Sequence, residues 1–356
     1  MVRNMDNSRM IEFIRRQSES CRRLGSPLYA QLLARVADDV LSEGPAAQVL
    51  VGHQDDPGPS ALALRLMGTA HRLALAGAAP DLAAHYPSCE GDGDADAAWP
   101  ALRALFADQP DLLREGLATA PQTNEVGRAA GLFGALLYIS DPDPLPVRLW
   151  EIGASAGLNL RADKFRYIAA AGPVWGPMSP VELDPAWEVA PAGAPRALQI
   201  IERVGGDVAP IDPADDAGAL RLTSYVWPDQ LARLRRLRGA IEIARQHQAR
   251  VIRCGAGDLL DGLELVADTL TVVWHSVMWQ YLPADEQHRV LQRLQTLGAA
   301  ATRQKPLAHI AFEPRRVVDR RPFCVTVKTW PGGQERVVGQ APPHGVPVVW
   351  SRTVTA

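Results

Sequence analysis

The chain has 356 residues, 47% of them hydrophobic and 22% charged, with a formal net charge of -3 at pH 7. This balance is ordinary for a globular protein, and the length exceeds what one hydrophobic core usually supports, so we expect two domains. The basic residues are spread along the chain, which argues against a nucleic-acid tract or a membrane-surface patch. We expect a small-molecule substrate as partner, no nucleic acid, no membrane, and a monomer or homodimer.

The spacing of the cysteines and the length of the apolar runs indicate in which cellular compartment the protein is expected. The four cysteines lie far apart and form no CxxC pair, so we predict neither a zinc site nor a disulfide framework, and no bound metal. The N-terminal residues lack the apolar core of a signal peptide, and no apolar run approaches the roughly 18 residues that a membrane span needs. We therefore expect a cytoplasmic protein.

The first part of the chain has helical periodicity. From Ile11 to about Ser140, apolar residues recur at spacings of three and four. Breaks rich in glycine, proline and aspartate at 52–59 and 87–100 separate stretches that we predict as helices. These stretches are Ala61–Leu75, Ala101–Leu117 and Val126–Tyr138. We predict an all-helical N-terminal domain over residues 1–140, serving the substrate or acting as a lid.

The pattern changes at the proline-rich segment 141–146, which is followed at once by the apolar run from Val147. Short β-rich runs then alternate with helical ones, which is typical of α/β proteins with a mostly parallel sheet. The runs are Ala249–Arg253, Leu270–Trp274, Ala308–Phe312 and Cys324–Thr329. We predict a doubly wound, Rossmann-like domain over residues 141–356, with an insertion near 172–200.

The segment Trp150-Glu-Ile-Gly-Ala-Ser-Ala-Gly-Leu-Asn159 places a strand, a turn of small residues and a helix start in succession. Small residues in this turn let the backbone approach a ligand at a helix N-terminus, where free N–H groups favour negative charge. The turn residues are Gly153, Ala154, Ser155 and Gly157. Glu151, at the end of the strand, would accept hydrogen bonds from a cationic or hydroxyl-bearing cofactor.

Two other interpretations of this turn stay open. Gly153-Ala-Ser-Ala-Gly157 also matches the G-x-S-x-G nucleophile elbow of serine hydrolases, with Ser155 as nucleophile and His275, His309 or His344 as the histidine. The preceding region is helical, however, and has no HGGG-like segment, which disfavours a hydrolase. The turn can also be purely structural, and the protein a non-catalytic nucleotide-binding or scaffold protein.

The order of features resembles the class I S-adenosylmethionine-dependent methyltransferases. Glu151–Gly157 is similar to their first motif, E/D-x-G-x-G-x-G, with Ser155 in place of the middle glycine. Val204-Gly-Gly-Asp207 looks like the end of their second strand, after an insertion, and Cys254-Gly-Ala-Gly-Asp258 resembles the G-D motif after the third. Thr271–Pro283 and Ala308–Glu313 are similar to the fourth strand with its turn and to the fifth strand.

This resemblance implies a methyltransferase-type sheet that binds S-adenosylmethionine and transfers its methyl group to an unidentified small-molecule acceptor. In that family the residue matching Asp207 binds the ribose, and the residue matching Asp258 binds the adenine. His275 would be the catalytic base near neutral pH, or else a buried histidine bonded to backbone. The implied cofactor-binding residues are Glu151, Gly153, Ala154, Ser155, Gly157, Asn159, Asp207, Gly257, Asp258, His275 and Ser276.

The polar segment Gln122-Thr-Asn-Glu-Val-Gly-Arg128 precedes an apolar helix. Asn124, Glu125 and Arg128 are candidates for binding the substrate or the methionine end of the cofactor, although Thr123 or Asn124 can also simply cap the helix. Tyr281 is kept as a substrate candidate, although packing at the sheet edge is its more common role.

Three segments resemble one uncharacterised bacterial family, numbered 2332 among the domains of unknown function. They are Gln122–Arg128, the turn Glu151–Gly157, and Tyr225-Val-Trp-Pro228. The resemblance spans nearly the full chain. It implies no particular reaction.

Overall fold

The structure, a computed structural model, describes residues 7–56, 60–118, 121–140, 143–170, 172–191, 198–316 and 321–351. The chain divides into two compact units. The helical unit comprises Met1–Thr123 and Asp216–Arg235, and the sheet unit comprises Asn124–Asp215 and Arg236–Ala356. The sequence predicted one boundary, near residue 140, whereas residues 124–140 belong here to the sheet unit and residues 216–235 to the helical unit.

The helical unit is built mainly from amphipathic helices, numbered in chain order through the whole protein. They are α1 Ser8–Arg23, α2 Pro27–Leu41, α3 Pro45–Val49, α4 Leu62–Leu75, α5 Pro80–Ala83, α6 Ala95–Asp108, α7 Pro110–Leu117 and, from the later segment, α9 Asp216–Ser224. The helix predicted over 101–117 is two helices, because Pro110 begins a new one. The break predicted over 87–100 was too long, since Asp94 caps α6 by accepting hydrogen bonds from the amides of Asp96 and Ala97.

The later segment completes the core of the helical unit. Trp227 is buried in the same apolar cluster as Leu32 and Leu66, and its ring lies 6.4 Å from that of Tyr29. Asp229 accepts a 3.0 Å hydrogen bond from the amide of Leu28 at the start of α2. Residues 216–235 are therefore part of this unit's fold.

The sheet unit contains an eight-stranded sheet in the order β11-β10-β9-β8-β7-β1-β5-β6 and a three-stranded sheet in the order β3-β2-β4. The strands are β1 Val147–Ile152, β2 Arg166–Ala169, β3 Val174–Trp175, β4 Glu182–Trp187, β5 Ile200–Asp207, β6 Arg250–Arg253, β7 Leu270–Ser276, β8 Leu307–Pro314, β9 Phe323–Trp330, β10 Glu335–Ala341 and β11 Val349–Trp350. Strands β6, β5, β1, β7 and β8 are parallel neighbours, and β9 to β11 are added antiparallel. The predicted α/β class with a mostly parallel sheet is confirmed.

Helices pack on both faces of the large sheet. On one face Val273 of β7 packs with Leu294 of helix α12, Ala284–Ala300, and with Leu259 of the short helix α11, Ala256–Asp261. On the other face Gly131 of helix α8, Ala129–Ile139, lies against Val325 of β9. Helix α10, Leu231–Gln246, leads into β6. Among the residues with a described position, no helix is long and apolar enough to cross a membrane.

The strand order reverses beside β1. The chain runs from β1 outward to β5 and β6, and then returns to β7 and β8 on the other side of β1. In open α/β sheets, ligands bind at the carboxyl ends of the strands where the order reverses. The turn that follows β1 therefore lies at the position where a ligand site is expected.

Candidate functional site

The turn after β1 has an alternating left-handed backbone. Gly153, Ser155 and Gly157 have φ angles of 66°, 53° and 63°. Glycine adopts this region without steric cost, but a side chain at Ser155 costs roughly 1–2 kcal/mol. The amides of Gly153 and Ala154 donate to the carbonyl of Gly206 at 2.9 and 3.1 Å. The turn is therefore anchored on the end of β5.

Asp207, the last residue of β5, is also bonded to this turn. Its Oδ2 accepts a 2.8 Å hydrogen bond from the amide of Ser155, and its Oδ1 accepts one of 2.8 Å from the amide of Ala209. Carboxylate oxygens accept hydrogen bonds and are suited to hydroxyl donors. The structure thus places the predicted ribose-binding residue directly beside the predicted first motif.

The predicted helix after the turn is a 3₁₀-helix, Leu158–Lys164. The amide of Leu158 donates to Oδ1 of Asn124 at 2.7 Å, and Nδ2 of Asn159 donates to the carbonyl of Glu125 at 3.3 Å. Asn124 therefore accepts a hydrogen bond from the first amide of this 3₁₀-helix, whose N-cap residue is Gly157. In this way the polar segment Gln122–Arg128 is joined to the turn by side chains that sequence analysis assigned to ligand binding.

Glu151 is a buried acid, 2% exposed. Its Oε1 accepts a 3.1 Å hydrogen bond from the indole Nε1 of Trp274, while within the described part of the chain Oε2 has no hydrogen-bond partner. Burial raises the pKa of Glu151 to about 8, against the opposing effects of the Trp274 hydrogen bond and of nearby Arg161. Glu151 is therefore mainly protonated at neutral pH.

In the described chain, two residues that follow Glu151 share its lack of a hydrogen-bond partner at a buried atom. Among the described residues, Oγ of Ser155 and Oδ1 of Asn159 also have no hydrogen-bond partner, and both residues are buried. Arg161, which sequence analysis did not single out, is buried too and donates to the carbonyls of Gly157 and His247 at 2.7 and 2.6 Å. Because buried polar groups are normally hydrogen-bonded, these unpartnered atoms after β1 indicate a site for a ligand or for ordered water.

Glu125 is held by a distant part of the chain. Its Oε1 accepts from the amide of Gly127 at 3.2 Å, and Nδ1 of His344 lies 3.3 Å from its Oε2. An added Cβ on Gly127 would lie 2.3 Å from the carbonyl oxygen of His344, so the two segments touch through backbone. Sequence analysis considered His344 only as a hydrolase histidine, because no local pattern joins it to Glu125.

Arg128 bridges two loops. Its Nε donates to the carbonyl of Pro343 at 3.2 Å, and its Nη1 donates to the carbonyl of Ser276 at 3.4 Å. Arg128 is thus bonded to the backbone at the end of β7, where sequence analysis expected a ligand contact from Ser276. Its role as a substrate-binding residue stays a prediction.

His275, at the end of β7, is 3% exposed and is oriented by an acid. Its Nδ1 lies 2.8 Å from Oε1 of Glu313 on β8, and the same oxygen accepts from the amides of Met278 and Trp279 at 3.0 and 3.2 Å. A proton on Nδ1 directed at Glu313 leaves Nε2 as the acceptor nitrogen. His275 is therefore bonded to a carboxylate, whereas sequence analysis weighed a bond to backbone.

The register places His275 and Glu151 on opposite faces of the sheet. Glu151 pairs with Trp274, and successive side chains of a strand point to opposite faces. The His275 ring lies 5.1 Å from the ring of His309, whose pKa burial lowers to about 3. Glu151 and the His275–Glu313 pair are therefore two separate groups at the carboxyl ends of adjacent strands.

The residues predicted at the adenine end lie in a surface ion-pair network. Oδ1 of Asp258 is 2.7 Å from Nη2 of Arg289, with the Asp258 side chain 59% exposed. The amide of Gly257 donates to Oε1 of Glu286 at 2.7 Å. Tyr281, predicted to touch substrate, is 61% exposed.

The serine hydrolase alternative requires a histidine bonded to Ser155. In the parts of the chain that the structure describes, the Ser155 hydroxyl has no hydrogen-bond partner. His275 is bonded to Glu313, and His344 lies against Glu125. The geometry therefore favours a binding role for the turn over a catalytic triad.

A family model described as an uncharacterised protein conserved in bacteria, DUF2332, matches residues 12–350. The chain belongs to this family. The resemblance inferred from the three sequence segments is thereby confirmed. A search of the curated proteins finds no match. The DUF2332 match extends through segments of both units.

Proposed function

We propose that the sheet unit of this DUF2332 chain binds S-adenosylmethionine and transfers its methyl group to a small-molecule acceptor. The strand order β6-β5-β1-β7-β8 carries the proposal, because it puts the turn 153–157 at the reversal point, next to Asp207 at the end of β5. A Rossmann-like sheet of the methyltransferase type has its first two motifs in this relationship. Because fold alone does not define a reaction, the proposal also depends on the side chains of the turn.

The donors and acceptors around the turn fit such a cofactor. The unpartnered oxygens of Glu151, Ser155 and Asn159 are suited to the ammonium and other polar groups of a methionine moiety. A bound cation beside Glu151 stabilises the ionised carboxylate and so lowers its pKa. Asp207 would hold the ribose hydroxyls and Asp258 the adenine amino group, as the motif resemblance implies.

When bound, S-adenosylmethionine supplies a methyl group on a sulfonium for in-line displacement, a reaction that depends largely on positioning. The left-handed turn and Asp207 would fix the cofactor, and His275 would take the proton of the acceptor at Nε2. Glu313 holds the opposite nitrogen of that ring and so fixes its orientation. Arg128 would keep the end of β7 in place through its bond to Ser276.

Calorimetric titration with S-adenosylmethionine and S-adenosylhomocysteine tests the proposal. We expect saturable binding of both at one site, and at least tenfold weaker binding by Asp207→Asn. The exposed Asp285→Asn is a control that makes the same change of charge, and we expect it to bind as the parent does. Absence of binding by the folded parent chain would sink the methyltransferase proposal. Binding without turnover over a panel of small acceptors would favour a non-catalytic nucleotide-binding protein.

A further inference from the structure

Within the helical unit, helices α4, α7 and α9 border a cavity of about 280 Å³. This volume is just below the range of about 300–1,000 Å³ that is typical of small-molecule pockets. Polar side chains make up most of its lining. They are Thr69 and Arg72 of α4, Glu115 of α7, Arg221 and Ser224 of α9, and Tyr225.

Two glycines let the walls of this cavity pack closely. An added Cβ on Gly68 would lie 2.6 Å from Cε1 of Tyr225, so the phenol ring rests directly on helix α4. An added Cβ on Gly116 would lie 2.0 Å from Oγ1 of Thr69. Tyr225 and Thr69 are therefore held in position by the backbone of neighbouring elements.

The charges lining the cavity are unbalanced. Arg65 of α4 does not line the cavity and pairs with Asp56. In the described residues, Arg72 and Arg221 have neither an ion pair nor a hydrogen bond from the side chain. Both guanidinium groups favour the ionised form of Tyr225, although burial dominates and raises the pKa of that phenol. Glu115 is the acidic lining residue and pairs with neither arginine within the described chain. Across the ranges that the structure describes, the side chains of Arg72, Arg221 and Tyr225 thus have no hydrogen-bond partner.

We propose that this cavity binds a small molecule through a phosphate or carboxylate group held by Arg72 and Arg221. A guanidinium group presents a planar fork of donors that matches the oxygens of either anion. The hydroxyl of Tyr225 adds a third donor, and Glu115 accepts from a hydroxyl or ammonium group next to the anion. The site is independent of the proposed methyl transfer, because all its residues belong to the helical unit.

Titration calorimetry of the full chain at low ionic strength, with inorganic phosphate and with malonate as probes, tests this site. We expect saturable binding of one molecule of at least one probe, and the stronger probe identifies the anion class. The double variant Arg72→Gln/Arg221→Gln should bind at least tenfold more weakly, and Tyr225→Phe severalfold more weakly. Arg235→Gln, an exposed arginine of the same unit that does not line the cavity, is the control and should bind as the parent does.

Two results would overturn the inference. One is that neither phosphate nor malonate binds saturably. The other is that Arg235→Gln loses as much affinity for the probes as the double variant does, which would show general charge attraction only. Circular dichroism checks that each variant is folded. As a measurement that needs no variant, phosphate or malonate should shift the side-chain Nε–H resonances of Arg72 and Arg221 in the parent chain and leave that of Arg235 in place.

Discussion

The amide of Ser155 donates a 2.8 Å hydrogen bond to Oδ2 of Asp207, across 52 positions of sequence. This bond joins the turn after β1 to the end of β5. It also uses a donor that the left-handed conformation of Ser155 directs at the carboxylate. The geometry of the turn and the position of the acidic side chain are therefore coupled, and a change in either should alter both.

Glu151 should make the stability of the sheet unit depend on pH. Its pKa is about 8 in the folded chain against an ordinary value of 4.5, so between these values the unfolded chain binds fewer protons. Stability should be fully present below about pH 4.5 and should fall as the pH rises toward 8, by on the order of 4 kcal/mol. Glu151→Gln, which mimics the protonated acid, should remove this fall. Urea denaturation at pH 5, 7 and 9 measures it.

Glu264→Gln is the matched control for this experiment, because Glu264 is exposed in the same unit. It should follow the pH dependence of the parent. If Glu151→Gln and the parent lose stability in parallel from pH 5 to 9, Glu151 is ionised in the folded chain at neutral pH, which would contradict the prediction.

Ser155→Gly should leave the fold intact and weaken cofactor binding without abolishing it, because it removes one of the oxygens proposed to bind the methionine moiety. Glycine relieves the cost of the left-handed φ of 53° and removes a buried hydroxyl without a partner, while its greater freedom in the unfolded chain offsets part of the gain. We expect the free energy of unfolding to change by less than about 1 kcal/mol, in the stabilising direction. Thermal unfolding and titration with S-adenosylmethionine measure both effects.

Ser155→Ala completes the comparison, since it removes the hydroxyl and keeps the Cβ in the left-handed region. Both variants should remain unlabelled by fluorophosphonate, as should the parent. Labelling of the parent that both substitutions abolish would instead support the serine hydrolase.

Glu313 should stabilise the loop after β7 through one of its two carboxylate oxygens, Oε1. This oxygen accepts hydrogen bonds from His275, Met278 and Trp279. Glu313→Ala leaves these donors without an acceptor and should lower the free energy of unfolding by about 2–4 kcal/mol. Glu313→Gln keeps an acceptor oxygen and should cost about 1 kcal/mol. Urea denaturation gives the free energies, and amide hydrogen exchange at Met278 and Trp279 shows whether the loss is local.

Glu335→Ala is the control for Glu313, because Glu335 forms an exposed ion pair with Arg315. Such surface pairs contribute about 1 kcal/mol or less. Equal losses in Glu335→Ala and Glu313→Ala, with unchanged exchange at the loop amides, would contradict the anchoring role of Glu313.

Local sequence patterns were sufficient to predict many of the strands and the turn of the sheet unit. The runs 270–274, 308–312 and 324–329 are strands, and the turn 153–157 follows β1, because apolar runs and small residues are read from consecutive positions. The assignment of residues 216–235 to the helical unit was not predictable in this way. It depends on packing between Trp227 and helices near the N-terminus.

In the candidate site, too, some residues were predictable from local sequence patterns, whereas contacts between distant positions were not. Glu151, Ser155 and Asp207 were found from motif spacing, and the structure brings them together at one end of β1 and β5. The contacts Glu125–His344 and His275–Glu313 join positions that no periodicity relates. The roles of Asp258 and Tyr281 in ligand binding stay predictions.

The helical unit is assembled from two stretches of chain, with residues 124–215 of the sheet unit between them. Because Trp227 fills its core and Asp229 bonds the start of α2, a ribosome that has made only the first 123 residues has not yet supplied these parts. The nascent N-terminal helices therefore keep apolar surface exposed until about a hundred more residues emerge from the ribosome. Exposed apolar surface of this kind is what chaperones bind. Synthesis of this chain thus runs against the usual order in which an N-terminal domain folds first.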